Sequence, residues 1–413
     1  MKTNRKMLIF CVCLFSVKFS YATAPFQLQL GQHTFEITQT TARGTPVINM
    51  WKAQMPINDR QNAAGFPVLN NAEHHLVWAP RSRAEGAYNH YACLIFHNGH
   101  FYAMWGNHEF GEDGPGQRIL YSISTDAITW TPATELFAAP GPVLPASESG
   151  IHLKPDRWVK VEGKLYAVVF VGTTYPIARQ VTPNCVGEPF LLKNISANQQ
   201  LPSYMNRRTP PSIAEKIEQW YIDNDVVTWW ARSAHTLGGR TPSHSVDNAP
   251  LIETFSVRSD YYGKLVFYRD NTATAQNPSY RLYVSFEDGN GGYTEPYPTN
   301  IPDIPSRAEA LRLPDGHVLL AGNQTAFRFD QQPTGMYRDP LTIAVSPDGK
   351  DFTKVFALRT GAPPTFRFSG ITGRGAGQFS YPSMIVHNGK LYVLYSVNKE
   401  DMAISIVPLS AIR

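Results

Sequence analysis

Four times along this chain an apolar run, a tight turn ending in glycine and a second apolar run follow one another. The stretch "LIFHNGHFYAMWG" turns at Asn98-Gly99, "RWVKVEGKLYAVVFVG" at Glu162-Gly163, "ALRLPDGHVLLAG" at Asp315-Gly316 and "MIVHNGKLYVLYS" at Asn388-Gly389. Asn-Gly is the favoured two-residue hairpin turn because both positions accept a positive φ. Apolar residues on both sides of each turn read as strands packed between layers. A chain built from such units is all-β, and its 12% aromatic content with 32 prolines and 30 glycines fits many short strands and many turns.

A second signature alternates with the hairpins. "YSISTDAITWTP", "VSFEDGNGGYTEP" and "VSPDGKDFTK" each place an Asp in a turn ahead of an aromatic. They resemble the Asp-box of sialidase-type propellers, in which Ser and Asp satisfy turn backbone groups and the aromatic packs between blades. Several copies after blade-like hairpins argue for a β-propeller of radially repeated four-stranded antiparallel sheets. A β-sandwich is the rival fold. One region departs from the pattern. In "NRRTPPSIAEKIEQWYIDNDVVTWW", Ser212 and Glu215 have capping-box spacing, and Ile213, Ile217 and Trp220 share a helical face, so a short inserted helix is expected. No linker divides the chain, which predicts one domain over residues 25–413.

The first 24 residues read as an export signal. Lys2, Arg5 and Lys6 precede an apolar run from Met7 to Val17, and Ala22-Thr23-Ala24 is a small-residue cleavage site. That run is too short to span a membrane, and no later run is long enough. The expected location is periplasmic or secreted. Two of the four cysteines leave with the signal. The remaining pair, Cys93 and Cys185, is not a disulfide scaffold, and both are expected as buried thiols. The formal charge of +4 comes without a Lys/Arg cluster that would track phosphates. Nucleic acid is therefore not expected as a partner, and an anionic extracellular substrate is compatible.

The densest stretch is "YNHYACLIFHNGHFYAMWGNHEFGEDGPGQRILYSISTDAITW", with four of the twelve histidines, His90, His97, His100 and His108. It resembles the first full blade of the ulvan lyase propellers and, equally, of a sister family of rhamnosidases that cleave rhamnose–glucuronate linkages. The resemblance continues through "GKLYAVV", "IARQV", "LIETFSVRS", "RLYVSFEDGNGGYTEPYPTNIPDIPSR", "RDPLTIAVSPDGKDFTKVFALR" and "QFSYPSMIVHNGKLYVLYSVNKED". It implies a seven-bladed propeller with its crevice at one end of the central axis. It places the catalytic histidine on His90, next to Tyr91 where many relatives carry a second histidine. It places a second lyase histidine on His108, the lyase tyrosine on Tyr166 with Tyr175 as rival, and the lyase arginine on Arg179. His108 tilts the resemblance toward the lyases.

Such residues suit β-elimination from a uronate. A base removes the C5 proton, an arginine pairs bidentately with the carboxylate as charge develops, and a tyrosine or histidine protonates the leaving oxygen. His90 and His108 flank the Asn98-Gly99 turn, and Tyr166 and Arg179 flank the 172–176 turn, so each pair is expected on one sheet face. The roles that follow are His90 as base, Arg179 as carboxylate neutraliser, Tyr166 as proton donor and His108 as helper. Tyr221 and Arg338 are candidates for substrate binding, and Arg269 and Arg307 for sulfate. His97 and His100 sit at a turn and are expected in solvent. Elimination needs no cofactor. A structural zinc or calcium is compatible with His235, His244, Asp247 and Cys185, whose spacing matches no zinc pattern. A two-carboxylate glycosidase would draw on Glu109, Glu112 or Asp113. A sialidase needs an arginine triad and a Tyr–Glu nucleophile pair, and none is assembled by reading along the chain. The leading expectation is a monomeric exported lyase cutting ulvan, a sulfated rhamnose–uronate polysaccharide. The rivals are a glycoside hydrolase freeing rhamnose from glucuronate and a carbohydrate-binding propeller without catalysis.

Overall fold

The computed structural model describes residues 22–224, 226, 244–271, 279–329 and 338–413. Strands β1 (Ala22–Leu30) and β2 (His33–Gln39) form a separate hairpin. Strand β3 (Glu73–Trp78) follows and is used last, as described below. The first full sheet is β4 (Tyr88–His97), β5 (His100–His108), β6 (Arg118–Ser124) and β7 (Thr134–Phe137). The second is β8 (Leu153–Val161), β9 (Lys164–Val171), β10 (Tyr175–Val181) and β11 (Phe190–Leu191). After helix α1 (Ile213–Asp223) comes the third, β12 (Leu251–Ser259), β13 (Gly263–Asp270), β14 (Arg281–Phe286) and β15 (Tyr297–Pro302). The fourth is β16 (Glu309–Arg312), β17 (Val318–Gly322), β18 (Leu341–Ser346) and β19 (Lys354–Arg359). The last is β20 (Phe379–His387), β21 (Lys390–Val397) and β22 (Asp401–Pro408), completed by β3.

The architecture is an all-β propeller with five four-stranded antiparallel blades among the described residues, not seven. The difference has a physical origin in where the chain is spent. Residues 40–72 run beside the blades and touch them through single bridges, Ile48 to Thr299, Trp51 to Phe352 and Val68 to Ala357. Of the described residues between β11 and β12, eleven form α1. The circle is joined by pairing β22 with β3, Met402 opposite Trp78 and Ile404 opposite His75. This closure ties the two ends of the propeller and removes a free edge.

Local chemistry sets the hairpins as expected. Asn98 and Gly99 have φ of 46° and 81°, Glu162 and Gly163 of 50° and 73°, and Asn388 and Gly389 of 47° and 70°. The Asp-box turns form too. Asp126 Oδ1 accepts from the backbone N–H of Ile128 and Thr129 at 2.8 Å each. Asp348 Oδ1 accepts from Lys350 N–H at 2.8 Å, ahead of buried Phe352. Asp288 Oδ1 accepts from Asn290 and Gly292 at 2.8 and 3.0 Å, ahead of buried Tyr293.

Sheets bury their faces against one another. Leu94, Trp105, Leu394 and Ile404 join the last blade to the first, and Cys93, Met104, Trp158 and Val169 join the first to the second. The opposite face of the second blade is covered by α1 instead, where Ala214, Ile217 and Tyr221 pack on Val159, Tyr166 and Val168. The expected helix is therefore present, with Ile217 and Tyr221 at its buried centre. Ser212 occupies the cap position in helical geometry, and its side chain makes no cap bond, so the capping box does not form. Packing of the apolar face, rather than the cap, holds this helix. Ile217→Ala is expected to lower unfolding stability by roughly 2–5 kcal/mol, the cost of removing a buried aliphatic side chain, as measured by urea denaturation.

Candidate active site

The first strand of each blade lines the axis, and four of these strands carry a bulge near their start. The register shifts between His90 and Cys93 on β4, Pro155 and Arg157 on β8, Ile252 and Phe255 on β12, and Ser380 and Ser383 on β20. The extra residues are Tyr91, Asp156, Glu253 and Tyr381. Three of them have left-handed backbones, with φ of 62° at Tyr91, 52° at Glu253 and 57° at Tyr381. Bulges re-aim side chains, and strained residues of this kind gather where function requires the geometry.

The side chains of Tyr91, Glu253 and Tyr381 converge, while Asp156 accepts from the buried Tyr221. The Tyr381 hydroxyl donates to Glu253 Oε1. Arg269, opposite Ile252 on β13, donates to Glu253 Oε2 at 2.5 Å and to the Tyr381 oxygen at 3.1 Å. Arg338 lies 6.0 Å from the Tyr381 ring centre, and it donates to the Pro305 carbonyl at 2.6 Å. The His90 ring sits 3.8 Å from Tyr381 and 4.7 Å from Tyr91. Beyond it, Tyr91 donates to Glu112 and Asp113, both at 3.1 Å. Lys399 grips both Glu112 oxygens at 3.0 Å, and Lys154 meets Asp113 at 2.6 Å.

Charge in the crevice is tuned by burial and crowding. Burial pushes the Tyr381 phenol well above its usual range, and the Glu253 carboxylate pushes it the same way. His90 is held far below its usual value, first by burial and then by the positive charges of Lys399, Arg338, Arg307 and Arg269. It is therefore neutral. The Ser396 oxygen lies 3.0 Å from His90 Nδ1 and 3.0 Å from the Ser380 hydroxyl. Nε2 lies 4.0 Å from Glu112 and has no hydrogen-bond partner. Burial raises Asp303 strongly, Asp270 and Glu253 add to this, and Arg269 and Arg338 oppose it. Both Asp303 oxygens lack partners, as do Arg269 Nε, Ser306 Oγ and Tyr88 Oη. Buried polar atoms are normally satisfied, and unpartnered ones also occur elsewhere in the protein, at His152, Asn323 and Asp339 among others, so those at the crevice are compatible with a ligand rather than a mark of one.

The structure brings His90, Arg338 and Arg269 to this crevice and sends Tyr166, Arg179, Tyr175 and His108 elsewhere. Tyr166 stands opposite Gln180, and Arg179 opposite Ala167, so Tyr166 and Arg179 point to opposite faces of their sheet. Tyr166 is packed under α1. Arg179 donates to the Leu136 and Gly187 carbonyls and lies over Phe137. Tyr175 is buried and donates to the Gln200 carbonyl. His108 does not join His90. Its Nε2 lies 3.0 Å from the Pro115 carbonyl, and its Nδ1 lies 2.9 Å from the Gly111 carbonyl and 3.2 Å from the Gly111 nitrogen, which shapes the loop carrying Glu112 and Asp113. Tyr221 is fully buried and donates to Asp156, so no sugar stacks on it. Burial raises the Cys93 thiol to about 12, and Cys185 is exposed, contrary to expectation. His235 lies outside the described residues. Among those described, no group of three His, Cys, Asp or Glu side chains is placed to hold a metal. Tyr381, Glu253, Asp303 and Lys399 were not singled out by the sequence. The available signal was a polar residue at the third position of "LIETF" and "FSYPS", each the opening of an inner strand.

The site is that of a β-propeller whose inner-strand bulges gather a Tyr–Glu pair and arginines at the axis. A family model for the BNR repeat-like domain matches residues 220–393. Comparison with curated protein sequences gives no match. Among solved structures, a sialidase aligns at 17% identity and a TM-score of 0.62, over 87% of this chain and 35% of that one. The chain thus spans about a third of the length of that sialidase. A Trypanosoma rangeli sialidase mutant with trans-sialidase activity aligns at 10% identity and a TM-score of 0.41, over 83% of this chain and 58% of that one. A Podospora anserina α-L-arabinofuranosidase, in complex with cellotriose, aligns at 13% identity and a TM-score of 0.36, over 80% and 94%. At these identities the first likeness supports the propeller fold alone, and the other two superpose too loosely to add to it.

The His90 environment has a measurable consequence for stability. Its folded proton affinity lies below the unfolded value of about 6.5, so below that pH the unfolded chain binds a proton that the folded chain refuses. Stability is then lost as pH falls, by at most about 1.4 kcal/mol per pH unit for one group. The unfolding free energy of His90→Gln is expected to fall less steeply than wild type between pH 6.5 and 5. Equal slopes would show that His90 titrates normally.

Proposed function

We propose that the protein is an exported glycoside hydrolase acting on a carboxylate-bearing sugar of a glycan. Tyr381 is its nucleophile and Glu253 the base that receives the Tyr381 proton. The observation that carries this reading is the Tyr381–Glu253–Arg269 cluster at two strained bulges, where one arginine touches both partners. A tyrosine nucleophile is an established variant of glycoside hydrolysis in sialidases. Its advantage is electrostatic. A neutral phenol approaches an anomeric carbon beside a carboxylate with less repulsion than an Asp or Glu anion would. The phenol is a weak nucleophile in its protonated state, so a neighbouring base must accept its proton as the C–O bond forms.

Arg269, Arg307 and Arg338 are the residues to receive the sugar carboxylate. Arg269 donates to both Glu253 and Tyr381, and Arg338 lies 6.0 Å from the Tyr381 ring centre. The planar guanidinium fork pairs with a carboxylate bidentately, and burial strengthens that attraction. Asp303, whose carboxyl burial pushes well above the usual range, is the candidate donor to the departing oxygen. The sialidase likeness in fold agrees with a carbohydrate-active propeller. No helix among the described residues is long and apolar enough to cross a membrane.

Elimination is the second reading, favoured by one observation. His90 is neutral with an unpartnered Nε2, which is what a base for C5 deprotonation requires. Its expected companions Tyr166 and Arg179 do not reach the crevice, so Tyr381 and the three arginines would have to serve. One assay separates the two. The protein is incubated with sialylated and uronate-containing glycans, and reducing sugar and ultraviolet absorbance are followed together. Hydrolysis predicts sugar release without absorbance, and kcat lowered by on the order of 10²–10⁴ in Tyr381→Phe and in Glu253→Gln. Arg338→Ala should chiefly raise KM. An absorbance rise that disappears in His90→Ala would replace hydrolysis with elimination.

A further inference from the structure

Away from the axis, an open cleft of about 450 Å³ lies between β3 of the last blade and β6 and β7 of the first. Its volume falls in the range of small-ligand sites, roughly 300–1,000 Å³. Trp78 and Leu120 give it an apolar wall, and two ion pairs flank them, Arg81 with Glu85 at 2.7 Å and Arg118 with Glu135 at 2.6 Å. Each arginine already has its carboxylate, so the cleft carries no net charge to attract an anion. It offers paired donors and acceptors beside an indole. That combination suits a pyranose ring, whose apolar C–H face lies on an aromatic while its hydroxyls bond at the rim.

The cleft communicates with the crevice. Arg118 Nε donates to Asn107 Oδ1 at 2.8 Å, and Asn107 Nδ2 donates to Asn89 Oδ1 at 2.8 Å. Asn89 precedes His90, and its backbone N–H donates to the Lys399 carbonyl at 2.7 Å. Residues 79–87 run from the cleft into the start of β4. We infer that this cleft is a subsite for neutral, hydroxyl-bearing sugars of the glycan whose acidic sugar occupies the Tyr381 crevice. The identity of that glycan rests on the hydrolase reading, and the binding of neutral sugar does not.

Calorimetric titration of Tyr381→Phe protein with neutral tetrasaccharides of glucose, galactose, mannose and xylose tests it. Saturable binding of at least one is expected. Glu135→Ala and Trp78→Ala should each weaken it at least tenfold and leave binding of an acidic monosaccharide at the crevice unchanged. Trp78 also packs near Trp105, at 5.9 Å, so Glu135→Ala, with its half-exposed side chain, serves if Trp78→Ala folds poorly. No binding of any neutral tetrasaccharide, or binding that ignores both substitutions, overturns the subsite. Binding that depends on the cleft in a protein that hydrolyses no acidic glycan would sustain the subsite and remove the hydrolase reading.

Discussion

A sheet that is apolar on both faces must find a neighbour on each side, and here the blades pack on one another around an axis while α1 covers the face of the second blade that no other blade meets. That packing demand organises the molecule. It brings the first strands of the blades together without any long-range signal from individual polar residues. Once the strands are there, a bulge near the start of four of them re-aims one side chain. Tyr91, Asp156, Glu253 and Tyr381 come from four blades, and the pair that touches, Tyr381 and Glu253, is 128 residues apart in the chain. The site is thus a by-product of radial closure, and the β3–β22 pairing that fixes closure also fixes the site.

The crevice concentrates opposing charges where water is scarce. The charges of Lys399, Arg338, Arg307 and Arg269 all disfavour a proton on His90, while Glu253 and Glu112 are held by arginine and lysine and burial pushes the Asp303 carboxyl upward. A field of this kind is costly to leave empty and rewards an anion placed in it. The orphaned atoms of His90, Arg269, Ser306 and Asp303 express the same incompleteness geometrically. The outer cleft at Trp78 is different in kind, because its arginines are neutralised in place.

Sequence revealed what local chemistry decides. The Asn98-Gly99 and Asn388-Gly389 turns, the Asp-box turns at Asp126, Asp288 and Asp348, and the helix centred on Ile217 all follow from neighbours within a few residues. His90 was legible as a candidate because the resemblance marks it, and Arg269, Arg307 and Arg338 because each flanks an expected strand. Blade number was not legible, since it depends on which distant strands pair and on how much chain is spent outside the sheets. Tyr166 and Arg179 show how narrow the margin is. The pairing of β9 and β10 runs from Val171 opposite Tyr175, which sets Tyr166 against Gln180 rather than Arg179. A single residue of register moves a side chain to the other face. Glu253 and Tyr381 escaped notice for a related reason, because a bulge is invisible to strict alternation.

The central claim is that Tyr381 attacks the sugar, and covalent trapping tests it most directly. Wild-type protein would be incubated with an activated, fluorinated acidic glycoside that forms a glycosyl-enzyme slowly and releases it more slowly still. Peptide mapping by mass spectrometry would then locate the adduct. The account predicts one added sugar, on the peptide containing Tyr381, and none in Tyr381→Phe. Turnover of acidic glycan with Tyr381 unmodified, or with the label on another residue, would contradict it.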